Sequence, residues 1–155
     1  MKTSSIYADI NTPLIRNCWY VAGLLSEFTR DLQQRFLLGN SVLMFLSTEG
    51  KPVLMQNRCA HRSFPLHHGR LEGDEVVCMY HGLRYNAMGA CVNAPMIGRP
   101  APHAKLHHYP TAVRGPLVWA WYPTPHGWLA RSGFTAAPIF MSRQTMSGCT
   151  KTCST

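Results

Sequence analysis

The stretch "CAHRSFPLHHGRLEGDEVVCMYHG", from Cys59 to Gly82, decides how this chain is read. It contains two cysteines and four histidines. Two of its pieces have a similar shape. The first, C-A-H-R, holds Cys59 and His61, and the second, C-M-Y-H-G, holds Cys78 and His81. Thiolates are soft ligands and imidazoles borderline ones, a set that suits zinc or iron–sulfur centres. A structural zinc site usually opens with a C-x(2–4)-C pair. Here each piece contributes one cysteine and one histidine instead.

That distribution suits a two-iron cluster. One iron takes the first ligand of each piece, Cys59 and Cys78, and its neighbour takes the last, His61 and His81. This is the arrangement of a Rieske [2Fe–2S] centre, one per chain. Charge explains the mixed set. Two ferric irons and two sulfides sum to about +2; four thiolates would bring this to about −2, whereas two thiolates and two neutral imidazoles leave about zero. A neutral centre accepts an electron more readily than an anionic one. Potentials of such centres accordingly span about −150 to +300 mV, against about −400 mV for plant-type ferredoxins.

The rest of the chain is consistent with a small folded domain. Its 155 residues suit one domain with a modest core, and 46% apolar against 14% charged residues describes a folding sequence. The longest apolar runs, "VLMFL" (42–46) and "LVWAWY" (117–122), fall far short of a membrane helix. The opening "MKTSSIYADIN" lacks the apolar core of a secretory signal. Six cysteines without such a signal predict reduced thiols or metal ligands, hence a cytoplasmic protein. The net charge of +8 is lopsided: residues 1–75 hold all seven acids, and residues 76–155 hold none. The basic residues are scattered singly, so nucleic acid is not the expected partner. An acidic protein partner is the better reading.

Short apolar, β-branched and aromatic runs predict strands at 18–24, 35–39, 41–47, 52–57, 74–80, 82–86 and 115–123. Gly39-Asn40 is the expected hairpin turn, and "TEGK" (48–51) the next turn. One helical turn is expected within "LLSEFTRDLQQ" (24–34). His67, His68, His103, His107 and His108 read as loop or surface residues. Cys18 and Cys91 read as small hydrophobes. Trp19, Tyr20, Trp119, Trp121 and Tyr122 read as core.

The stretches "NCWYVAG" (17–23), "LLGNSVLMF" (37–45), 57–95 and "YPTAVRGPLVWAWYP" (109–123) together resemble the Rieske domain of the aromatic-ring-hydroxylating and O-demethylating oxygenases. Among these they look most like the oxygenase components of vanillate O-demethylase and its relatives. The resemblance implies an all-β, ISP-like fold: two antiparallel sheets with a cluster-binding subdomain. It implies residues 17–123 as the Rieske domain, 1–16 as an N-terminal extension and 124–155 as an unrelated or disordered tail. It places Arg62 and Tyr80 around the cluster, Gly82 at a tight backbone approach, and loop amides as donors to the sulfides. Electrons would come from an NADH-dependent reductase or a ferredoxin and leave for a mononuclear ferrous site, normally in a neighbouring subunit of a homo-oligomer. A stand-alone Rieske ferredoxin is the alternative.

A ferrous site needs two histidines and a carboxylate. No acid follows Glu75, so His103, His107, His108 and His126 have no carboxylate to join them, and no catalytic residue is expected here. Cys149 and Cys153 are left without a role. The segment "TPHGWLARSGFTAAPIF" (124–140) does not resemble the family's acidic continuation. A shifted or interrupted reading frame near residue 124 is therefore expected. Sequencing the gene tests this: no oxygenase domain in any downstream frame would refute it.

Overall fold

Strand pairing in this chain builds three antiparallel sheets. A computed structural model describes Ile15 and residues 17–123. The expectations for 1–14, Arg16 and 124–155, with His126, Cys149 and Cys153, lie outside the described residues. Residues Trp19–Trp121 make one compact unit.

The first sheet has the order β1 (Cys18–Leu24), β11 (Leu117–Tyr122), β10 (Thr111–Arg114). The second runs β2 (Gln33–Leu37), β3 (Asn40–Leu46), β4 (Pro52–Gln56), β9 (His108–Tyr109). The third runs β5 (Arg70–Glu72), β6 (Glu75–Val77), β7 (Arg84–Tyr85), β8 (Cys91–Asn93). Two sheets form the base, and the third is the subdomain that carries both Cys/His pieces. The all-β architecture expected from the sequence is the one found.

Side-chain alternation places the core. Leu43 and Phe45 of β3, with Val53 and Met55 of β4, face a cluster that includes Leu66, Val76, Tyr85 and Leu106. Val42, Met44 and Leu54 alternate to the other face and are buried as well. β3 is thus covered on both faces, which is why it reads as an unbroken apolar run. Each such fully buried side chain is worth roughly 1.5–3 kcal/mol relative to exposure.

Several local expectations are corrected. Leu37 pairs with Asn40, so the hairpin turn is Leu38-Gly39 and not Gly39-Asn40. Leu38 and Gly39 have φ of 49° and 77°, the signature of a type I′ turn. The shift puts glycine second, where that turn favours it. Asn40 Nδ2 donates back to the Leu38 carbonyl at 3.1 Å. The strand expected over 74–80 ends at Val77, because the Cys78 peptide group is used inside a loop. The strands β5, β8, β9 and β10 were not read from the sequence. The helical turn expected in 24–34 is a 3-10 turn, Leu25–Glu27. Cys91 is buried as expected and Cys18 is half-buried. Of the aromatic set, Tyr122 is buried, while Trp19, Tyr20, Trp119 and Trp121 are half-buried.

The subdomain's β5–β6 turn is tied to the base. Asp74 accepts from Thr48 N and Thr48 Oγ1, each at 2.8 Å, and pairs with Arg30 at 2.9 Å. Arg30 also donates to the carbonyls of Leu46 and Gly73. Gly69, which leads into β5, leaves no room for a side chain: a Cβ there would lie 2.4 Å from the Val77 carbonyl oxygen.

His107 and His108 are half-buried beside β4, not surface residues. The His107 carbonyl accepts from Gln56 N at 2.7 Å, and its ring meets Tyr109 edge-on at 4.4 Å. Burial, then the neighbouring His108 and Lys105, push the His107 imidazole down to about 4. Burial and Lys105 also lower His108. Below an ordinary imidazole pKa of about 6.5 the unfolded chain takes up protons that these folded rings refuse. Stability should therefore fall as pH drops from about 6.5 to 5, by on the order of 1–2 kcal/mol. Denaturant titrations of wild type and His107→Gln over that range check this. The variant should show a shallower slope.

Candidate metal centre

The two Cys/His pieces have the same backbone fold. In the first, Cys59 N donates to the Phe64 carbonyl and Ser63 N donates to the Cys59 carbonyl, both at 2.9 Å. In the second, Cys78 N donates to the Leu83 carbonyl and Gly82 N to the Cys78 carbonyl, again both at 2.9 Å. Each cysteine's peptide group thus closes the loop that it opens. The residue completing each turn is left-handed: Ser63 at φ 59° and Gly82 at φ 72°. A Cβ on Gly82 would also lie 3.2 Å from Pro95 Cγ. This is why glycine follows His81. Both the left-handed φ and the closeness of Pro95 favour glycine here.

The matched loops sort the four side chains by type. Cys59 and Cys78 are 3% and 1% exposed, and the Cys59 thiol is close enough to raise that of Cys78. His61 and His81 lie with ring centroids 4.7 Å apart, His61 exposed and His81 half-buried. Two sulfurs face each other inside, and two imidazoles face each other nearer the solvent. No three His, Cys, Asp or Glu side chains converge on one point among the described residues. A two-iron cluster does not require it, since each iron takes two protein ligands and shares two sulfides. The donor set and its pairing fit such a group.

Burial raises the Cys78 thiol, N–H groups of Tyr80 and His81 that donate to its sulfur lower it, and Cys59 raises it again. A coordinating metal removes the proton from such a thiol outright. Tyr85 reaches the other sulfur. Its hydroxyl lies 3.2 Å from Cys59 Sγ and accepts from Ala60 N at 3.2 Å. Burial, then Cys59, raise the Tyr85 phenol, so it stays protonated and can donate. Sequence reasoning gave Tyr85 no role. The available signal was its place as the aromatic four residues after His81, on the inward side of β7.

Tyr80 is 57% exposed, with its ring 4.0 Å from that of His81. Arg62 is exposed beside His61. His67 and His68, read as plain loop residues, form a 3-10 turn with Leu66. Beside His61 lies a cleft of about 400 Å³, bounded by Ala60, Leu83, Ala94, Met96 and Ile97.

A β domain that offers two inner thiols and two outer imidazoles from paired loops belongs to the class of mixed-ligand two-iron electron-transfer proteins. Residues 18–110 match the family described as the Rieske [2Fe-2S] domain, and the chain belongs to that family. Its cofactor is a Rieske-type [2Fe–2S] cluster. The chain is 47% identical over 112 residues to the iron-sulfur subunit TsaM1 of the toluene-4-sulfonate monooxygenase system of Comamonas testosteroni, covering 72% of this chain and 32% of that protein. It is 33% identical to the oxygenase component of dicamba O-demethylase of Stenotrophomonas maltophilia, covering 72% and 33%. A crystal structure of dicamba monooxygenase with non-heme iron and dicamba aligns at a TM-score of 0.67 and 32% identity, covering 81% of this chain and 37% of that one. The chain thus spans about a third of the length of these relatives.

The loop geometry makes opposite predictions for the two left-handed positions. Ser63→Gly should be neutral or stabilising by up to about 1 kcal/mol, because glycine adopts this φ without strain. Gly82→Ala should cost about 1–2 kcal/mol, from φ and from the contact with Pro95. Thermal melts of the metal-free chain read both.

Proposed function

We propose that Cys59 and Cys78 hold one iron and His61 and His81 the other, and that the domain relays single electrons to an oxygenase site. The observation that supports this most directly is the sorting of thiols inward and imidazoles outward by two loops of one backbone design. The cluster, when bound, supplies a one-electron acceptor and donor. The chain's own residues set how readily it is reduced. With Cys59 a thiolate on iron, the Tyr85 hydroxyl 3.2 Å from its sulfur would be the donor, and the Tyr80 and His81 amides would donate to the Cys78 sulfur. Each drains electron density from a ligand and favours the reduced state. Arg62 and Tyr80 border the histidine end, Tyr80 as a ring packed on His81.

The electron donor in this reading is an NADH-dependent reductase or a ferredoxin with an acidic docking face. Charge supports it. Glu27, Glu49, Glu72, Asp74 and Glu75 are each paired with a base. Arg58 and Arg62, which flank the first loop, and Arg99, beyond the second, form no ion pair among the described residues. A basic rim around His61 speeds encounter with an acidic partner. The oxidised substrate is an aromatic compound, the protein cytoplasmic and the assembly a homo-oligomer. That no disulfide joins the four described cysteines to one another is consistent with a reducing compartment. Among the described residues no helix is long and apolar enough to cross a membrane.

Absorption and EPR after reconstitution with iron and sulfide test the assignment. Wild type should give the rhombic reduced spectrum of a mixed His/Cys cluster, and Cys78→Ser none. A colourless protein that holds zinc would overturn the reading. Tyr85→Phe should keep the cluster and lower its midpoint potential by on the order of tens of millivolts, equivalent to roughly 1 kcal/mol for one hydrogen bond to sulfur. Protein-film voltammetry reads that shift.

A further inference from the structure

Asn57 is buried, at 4% exposed, two residues before Cys59. Its side-chain amide is fully used. Oδ1 accepts from His67 N at 2.8 Å, while Nδ2 lies 2.8 Å from His67 Nδ1 and donates to Ser41 Oγ at 2.9 Å. Ser41 is itself held, since its hydroxyl also accepts from Gln34 Nε2 at 2.8 Å across β2–β3. One amide therefore joins the base sheet to both ends of the loop bearing Cys59 and His61. Among the described residues the second loop has no such amide fastening, and it runs directly into β7.

The hydrogen bonds fix the chemistry of His67. A backbone N–H can only donate, so the amide oxygen must face it and the amide nitrogen must face Nδ1. Nδ1 is then the acceptor, and the ring is neutral with its proton on Nε2. Protonation would set N–H against N–H. His68, with its ring 3.9 Å away, is the titratable neighbour on the same turn; on its other side His67 meets the uncharged amide of Asn57, which is itself bonded to Ser41. Burial, then His68, keep His67 below its ordinary range.

We propose that Asn57 is a positioning residue for the first cluster loop, acting through neutral His67 as a clamp whose release loosens the hold of Cys59 and His61 on the cluster. This rests on the ligand assignment above. The clamp holds the sequence positions on either side of the ligand-bearing turn at a fixed separation. The turn's own closure, from Cys59 to Phe64, then presents Sγ and the imidazole in one orientation. With the clamp open, the turn hangs from the Tyr85 hydroxyl and its local hydrogen bonds alone.

The test uses the full chain loaded with iron and sulfide, with loss of visible absorption in excess chelator as the readout. Asn57→Ala and His67→Ala should each speed release about tenfold at pH 7.5, the rate equivalent of losing one or two buried hydrogen bonds. The double variant should be no faster than Asn57→Ala alone, because that change already removes every side-chain bond of the clamp, whereas His67→Ala leaves the bonds to the His67 N–H and to Ser41 in place. Asn57→Asp gives a readout that simple loss of packing would not. Its second oxygen needs a proton on His67 Nδ1, so its release should slow as pH falls from 8 to 6, where wild type speeds up. Amide exchange of residues 59–64 in the metal-free chain should rise in the same order. If release and exchange match wild type, or if the two single effects multiply in the double variant, the clamp is refuted. A wild type that takes up no cluster would refute the ligand assignment instead, and amide exchange would still judge the clamp.

Discussion

The constraint on which the structure depends is the use of each ligand cysteine's own peptide group to close its loop. Cys59 and Cys78 both donate from N to the residue five positions on and accept at O from the residue four positions on. A peptide group committed in this way cannot join a β ladder, so strand β6 stops at Val77 although the sequence stays apolar. It also cannot swing. Both cysteine side chains are held buried by these closures.

Those loops need a platform, and three sheets provide it. β3 is buried on both faces and acts as the shared wall between the base and the subdomain. Polar fastenings then set the subdomain against that wall at separate points. Asp74 gathers Thr48 and Arg30 at the far hairpin turn, Asn57 gathers Ser41 and His67 beside the first loop, and Tyr85 reaches across from β7 to the Cys59 sulfur. Apolar burial supplies most of the stabilisation but is non-directional. The directional contacts choose one placement of the loops. That placement matters for electron transfer, because ligand orientation and hydrogen bonds to sulfur tune the potential.

Charge is divided in a related manner. The described acids nearly all belong to ion pairs that brace the base and the β5–β7 strands. Arg58, Arg62 and Arg99 have no such partners among the described residues. The exposed end of the domain therefore combines imidazole, arginine and apolar side chains such as Met79 and Met96, a surface suited to brief protein contact.

Much of the candidate site was legible in one dimension. Ligand identity is a matter of residue type and spacing, and the C-x-H and C-x-x-H pieces carry it locally. Strands with strong alternation or an apolar run, such as β3, β4 and β11, were legible for the same reason. The short strands β5, β8, β9 and β10 were not, because they owe their conformation to a partner strand and not to their own propensity. His107 and His108 looked like surface residues because burial is decided by what packs over them. The same holds for Tyr85 and Asn57. A phenol and an amide have no motif of their own, and each acquires its role only when folding brings a sulfur or an imidazole within hydrogen-bonding distance. The sequence by itself determined which atoms can bind iron; the tertiary structure decided which polar groups hold those atoms still, since that depends on contacts between residues far apart in the chain.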